Sequence, residues 1–166
     1  MFLDLWLVVG PHPTTASIPS GVIRDGQVWG VHDYADANLA HFDDKQSWRN
    51  GSITAIQMRC GDYFLAIRVQ YNGLWTNEHG FWNENCAPNK TWTSVHTFDV
   101  DEHIISAEVS NYEWPTSITF TTNKRTLETC GKPIAANIKT EEGRQLAYFS
   151  GVYGCYFDRI QFHWLD

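Results

Sequence analysis

A carboxylate set just behind a tight turn is a ready acceptor of hydrogen bonds, and the carboxyl-terminal third of the chain offers one. Residues Ser150 to Trp164 read SGVYGCYFDRIQFHW. A strand end leads to a tight loop opened by Gly154, Asp158 follows four residues later, and an alternating strand completes the stretch. Four cysteines, Cys60, Cys86, Cys130 and Cys155, lie far apart with no C-x-x-C pair and no histidine at zinc-finger spacing, which counts against a structural zinc site. An even number spread along the chain reads as two disulfides formed in an oxidising compartment, with the pairing open. The histidines (His12, His32, His41, His79, His96, His103 and His163) show no i, i+2 or i, i+4 pairing, so each reads as a structural or surface residue. Asp33, Asp36, Asp43 and Asp44 carry ligands suited to calcium but no EF-hand pattern. They read as a solvated loop.

Other chemistry is missing. The sequence contains no G-x-S-x-G elbow, no H-E-x-x-H and no glycine-rich phosphate loop. A glycosidase would need two carboxylates flanking one bond, and no motif pairs them. The chain therefore reads as a non-enzymatic protein that needs no cofactor. Lys and Arg number 12 against 19 Asp and Glu, a net charge of −7, which opposes binding to nucleic acid or an anionic membrane surface. No apolar run approaches the roughly 20 residues of a membrane-spanning helix. Eight Trp, seven Tyr and nine Phe suit both a β core and a surface that stacks on sugar rings.

Alternation at period 2 dominates the chain. It predicts strands over Ile53–Arg59 and Phe64–Tyr71, joined as a hairpin through Gly61-Asp62. Further strands are expected at Thr91–Phe98, Ile104–Ser110, Ser117–Thr122, Gln145–Ser150 and Phe157–Trp164. Asn72-Gly73, Asn123-Lys124, Gly131-Lys132-Pro133, Glu142-Gly143 and Gly151 supply turn chemistry between them. No window carries long helical amphipathicity, so the fold class is all-β in a single domain over residues 21–166. Residues 1–20 form a separate segment. Phe2–Val9 resembles a signal-peptide core, while Asp4 interrupts it and no basic residue precedes it. An ordered extension and a signal segment both fit. The sequons Asn50-Gly51-Ser52 and Asn89-Lys90-Thr91 agree with secretion and mark Asn50 and Asn89 as glycosylation candidates.

The carboxyl-terminal hairpin resembles that of the jacalin-related lectins, which carry G-x-x-x-D before an alternating strand. The closing His163-Trp164 is similar to the animal branch typified by the zymogen granule lectins. Phe42-Asp43-Asp44, Gly51-Ser52-Ile53-Thr54-Ala55-Ile56, Gly61-Asp62-Tyr63, Glu108-Val109-Ser110-Asn111-Tyr112 and Ile118–Lys124 follow in family order. The resemblance spans residues 27–165. It implies a β-prism of three four-stranded Greek-key sheets with pseudo-threefold symmetry and a sugar site at one end.

By that resemblance, an ionised Asp158 accepts two sugar hydroxyls through charge-assisted bonds, and the backbone N–H groups of Cys155, Tyr156 and Phe157 donate to the same sugar. Gly154 lets the loop fold without a Cβ clash. Tyr112 matches a position whose ring lines the pocket, and Tyr156 either stacks on the sugar or fills the prism. The family's first loop is usually glycine-rich; here Asp36-Ala37-Asn38-Leu39 stands in its place, with Asn38 and Leu39 as the site candidates. Leu65 occupies the position where a second site would want Asp, so one site is expected. With no sign of the chain cut that galactose-preferring members depend on, mannose/glucose-type glycans are the expected partners, bound without metal by a secreted homodimer or larger oligomer. Cys155 is expected in a disulfide with Cys60, Cys86 or Cys130. The alternative is a secreted structural matrix or assembly protein that keeps the prism and has lost sugar binding.

Overall fold

Residues that alternate at period 2 put one row of side chains into a core, while the runs Phe64–Ile67, Leu146–Phe149 and Phe162–Leu165 are buried on both faces of their strands. The computed structural model describes residues 19–30, 39–80 and 91–166. Strands β1 (Ile23–Trp29) and β2 (Ala40–Asp43) precede a single-turn helix α1 (Lys45–Trp48). Next come β3 (Ile53–Cys60), β4 (Phe64–Tyr71), β5 (Leu74–Trp75), β6 (His79–Gly80), β7 (Thr91–Trp92) and β8 (His96–Thr97). The remainder is β9 (Ile104–Asn111), β10 (Pro115–Thr122), β11 (Cys130–Gly131), β12 (Ile138–Glu142), β13 (Gln145–Tyr153) and β14 (Phe157–Leu165).

These strands form three antiparallel sheets of one topology. The order β11-β10-β9-β12 is a Greek key. In the second sheet β4 and β3 lie at the centre, and both edges are interrupted. β5 and β6 pair successive stretches of β4, while β7 and β8 pair the two ends of β3. The third, β1-β14-β13-β2, is the same key entered in the middle, because the carboxyl-terminal hairpin slots between the first two strands. The expected prism of three four-stranded Greek-key sheets is the observed fold.

Two expectations about the strands are corrected. Thr91–Phe98 is not one strand: Thr93 takes over the ladder, its Oγ1 accepting the Met58 N–H at 3.0 Å and its carbonyl accepting the Gln57 amide at 2.9 Å. That leaves only two-residue pairings on either side. Gly151 is a strand residue rather than a turn. A Cβ there would lie 2.4 Å from the Arg159 carbonyl oxygen and 2.8 Å from the Phe42 ring, so glycine serves close packing.

The core lies on the prism axis. Phe120, Phe149 and Phe162 meet edge to face with centroids 5.8–5.9 Å apart, the arrangement favoured by ring quadrupoles. Carboxylates tie the sheets at its margins. Glu141 on β12, half-buried, reaches β1 and β14, accepting the Trp164 and Trp29 indole N–H groups at 2.8 and 3.0 Å and the Gln27 backbone amide at 3.1 Å. Asp44 is only 4% exposed. It accepts the Tyr71 hydroxyl at 3.2 Å and contacts His79 Nε2 at 2.8 Å. Burial and the Asp44 carboxylate push the Tyr71 phenol well above its ordinary range, keeping it a donor. Asp44 therefore does not belong to a solvated loop. Asp43 is exposed and accepts the Lys45 N–H at 2.8 Å, while Asp33 and Asp36 lie outside the described residues. A disulfide joins Cys60, at the end of β3, to Cys130 on β11.

Two outcomes follow from these carboxylates. Glu141→Leu leaves the fully buried Trp164 indole without an acceptor and lowers unfolding free energy by about 1–3 kcal/mol, read by denaturant titration. Glu102 is buried. Burial opposes its ionisation, but hydrogen bonds from Arg125 and Thr122 outweigh that and hold the carboxyl below its ordinary range. A depressed folded pKa gives stability that is complete above the unfolded value, about 4.3, and drains away as pH falls below it. Thermal melts between about pH 5 and 3 should show wild type losing more stability than Glu102→Gln; parallel curves would contradict this.

Candidate functional site

Three hairpins end in loops of one design. Cys60 pairs with Phe64, Asn111 with Pro115 and Tyr153 with Phe157, each enclosing three residues. In every loop the first N–H donates to the third carbonyl: Gly61 to Tyr63 at 3.1 Å, Tyr112 to Trp114 at 3.1 Å and Gly154 to Tyr156 at 3.0 Å. The third residue is aromatic each time, and the three rings meet. Centroids lie 5.7 Å apart for Tyr63–Trp114, 5.7 Å for Tyr63–Tyr156 and 5.2 Å for Trp114–Tyr156. Tyr156 thus packs against its counterparts and closes this end of the prism. The fourth residues turn inward, where Phe64 and Phe157 stack at 4.7 Å.

The loops differ at the fifth residue, which is Leu65, Thr116 or Asp158. Leu65 is buried. Thr116 is buried and satisfied within its own hairpin, its hydroxyl donating to the Ser110 carbonyl at 3.1 Å and lying 2.9 Å from Ser110 Oγ. Only the third loop has a carboxylate there. Gly154, Leu39 and Asp158 converge: a Cβ added at Gly154 would lie 3.1 Å from Leu39 Cδ2 and 3.8 Å from Asp158 Oδ2. Asp158 is 8% exposed, more enclosed than a turn residue capping an open loop.

Gly61, Tyr112 and Gly154 all keep negative φ, and Tyr112 makes the same turn with a full side chain. Gly154 is itself buried, and the 3.1 Å approach to Leu39 Cδ2 means that a side chain there would crowd the loop, so glycine serves close packing beside the carboxylate. A conformational glycine does support the site, and sequence reading missed it. Gly30 adopts φ +103°, and a Cβ there would lie 1.9 Å from the Asp158 carbonyl oxygen. The end of β1 therefore presses on the backbone that carries Asp158. Its signal in the sequence is a lone Trp29-Gly30 pair.

Tyr112 is 56% exposed and meets the edge of Trp114 at 6.4 Å, so its ring stands on the adjoining loop. Asn38, Cys86 and Asn89 lie outside the described residues. Cys155 is disulfide-bonded, and since Cys60 and Cys130 pair with each other, neither is its partner. At the foot of the loop, burial and the Glu78 carboxylate raise the Tyr153 phenol above its ordinary range. Among the described residues no three His, Cys, Asp or Glu side chains gather as a metal-binding set.

No curated protein sequence matches the chain significantly, but solved structures do. A mannose-specific jacalin-related lectin from Morus nigra, solved with mannose, is 19% identical; the match covers 95% of this chain and all of that one, with a TM-score of 0.63. Malaysian banana lectin is 18% identical over 87% of this chain and 97% of its own, with a TM-score of 0.60. A prostate-specific WGA16 glycoprotein lectin is 18% identical over 80% and 94%, also at 0.60. At such identities these establish the fold. The sequence profile of the Jacalin-like lectin domain matches residues 28–163. With the three-loop prism, that match makes the chain a member of the Jacalin-like lectin domain family, whose proteins bind carbohydrate and are not enzymes.

Proposed function

We propose that the protein binds mannose/glucose-type glycans, without metal, in the space bounded by Gly154, Leu39 and Asp158. The convergence of that glycine and that carboxylate carries the reading, because the other two loops place Leu65 and Thr116 where the third has Asp158. Asp158 accepts two adjacent hydroxyls, and the N–H groups of Cys155, Tyr156 and Phe157 donate to the sugar oxygens between them. Tyr112 flanks the rim and Asn38 adjoins Leu39. The Morus nigra lectin with the same fold is described as mannose-specific, which supports this sugar class. A single shallow site gives affinity on the order of millimolar to tens of micromolar. Assembly into a dimer or larger oligomer raises avidity on a multivalent glycan.

The disulfides at Cys60–Cys130 and Cys155 support secretion, and the exposed Asn50 suits glycan attachment. We place the lectin domain at residues 21–166, preceded by the segment 1–20. The low exposure of Asp158 favours the second reading, a matrix or assembly protein on a prism without sugar binding. Titration decides between them.

Calorimetry with methyl α-mannoside should give saturable binding that survives EDTA, and Asp158→Asn should weaken it by about 1.5–3 kcal/mol, roughly 10–150-fold, with the fold intact. Unchanged affinity in the folded variant sinks the site; no binding by wild type favours the matrix reading. Gly154→Ala should lose affinity at least severalfold, since the methyl would press on Leu39 Cδ2 at 3.1 Å and stand 3.8 Å from Asp158 Oδ2; a thermal melt checks that the variant stays folded.

A further inference from the structure

Away from the loop end, the outer face of the β1-β14-β13-β2 sheet brings together three residues that no sequence motif links. Ser150 Oγ lies 2.7 Å from His163 Nε2, and His163 Nδ1 lies 2.7 Å from Asp25 Oδ1. The register explains the meeting: Asp25 and Tyr148 both pair with His163 across β14, and Ser150 is two residues beyond Tyr148. The His163 ring is buried and stacks on Tyr148 with centroids 4.2 Å apart and planes 10° from parallel, which fixes its orientation. Asp25, whose side chain is 69% exposed, reaches it from the edge strand. Ser150 is half-buried and lines an open groove of about 280 Å³ together with Arg159, Gln161, Asp43, His41 and Val28.

The order here is that of a nucleophile and its base: a hydroxyl against an imidazole nitrogen, and a carboxylate against the other nitrogen. In the tautomer whose Nδ1–H donates to Asp25, Nε2 accepts the Ser150 hydroxyl. Arg159 lines the same groove.

We propose that Ser150 is a nucleophilic serine, with His163 as its base and Asp25 as the positioning residue, and that the groove accepts a small activated acyl or phosphonyl group. With a fluorophosphonate, Ser150 Oγ attacks phosphorus, the P–F bond breaks and fluoride leaves. The hydroxyl proton passes to His163 Nε2, and Asp25 stabilises the imidazolium. The product is a stable Ser150 ester, one per chain. This modification site is independent of the sugar site.

The test is labelling of the purified full chain with an alkyl fluorophosphonate, followed by intact-mass and peptide analysis. One adduct per chain on Ser150 is expected, absent in Ser150→Ala. Asp25→Asn, at an exposed position that leaves the fold unaltered by thermal melt, should label at least tenfold more slowly. No adduct on folded wild type, an adduct at another residue, or wild-type labelling in Asp25→Asn would each overturn the proposal.

Discussion

Three loops of one geometry must share the narrow end of a prism, and that crowding governs the rest of the molecule. Each loop spends its first residue on the bond that closes the turn and its fourth on the core. The third is then directed at the axis, where Tyr63, Trp114 and Tyr156 fill the gap together. A ring at this position buries large apolar area at small conformational cost and tolerates tilted contacts. The fifth position is Leu65, Thr116 or Asp158, and there only the third loop carries a carboxylate.

Carboxylates do comparable work away from the site. Glu141 receives two indole N–H groups across sheets, Asp44 links the end of β2 to β4 and β6, and Glu102 gathers Arg125 and Thr122. A carboxylate drawn out of water is costly unless its oxygens are satisfied. Each of these is satisfied from a different element, so each also fixes how elements sit together. The His79 ring against Asp44 stacks on Phe42 at 4.0 Å, and Phe42 meets Phe157 edge to face at 5.8 Å. Packing thus runs unbroken from the buried acid to the foot of the recognition loop.

Long central strands were legible in the sequence because burial on one face writes a period-2 pattern directly. Edge strands such as Leu74–Trp75 and Cys130–Gly131 were not, since two residues carry no period and their pairing is imposed by the neighbouring strand. Asp158 was legible through its spacing from Gly154 and its place in an ordered set of motifs, yet its enclosure was not, because Gly30 presses on it from far along the chain. Asp44 read as solvated beside Asp43, as neighbours at the end of a strand look alike until one turns inward. The Ser150–His163–Asp25 chain was invisible for a related reason. Its members stand 13 and 138 residues apart, and only the circularly permuted sheet makes Asp25 the neighbour of His163.

If one fifth-position residue decides where sugar binds, the three loops provide their own internal controls. A crystal of the protein soaked in methyl α-mannoside tests this most directly. Sugar held between Gly154 and Asp158, with nothing at the Gly61 and Tyr112 loops, is the predicted result. Sugar seated on either of those loops, or on none of the three at a saturating concentration, would contradict it.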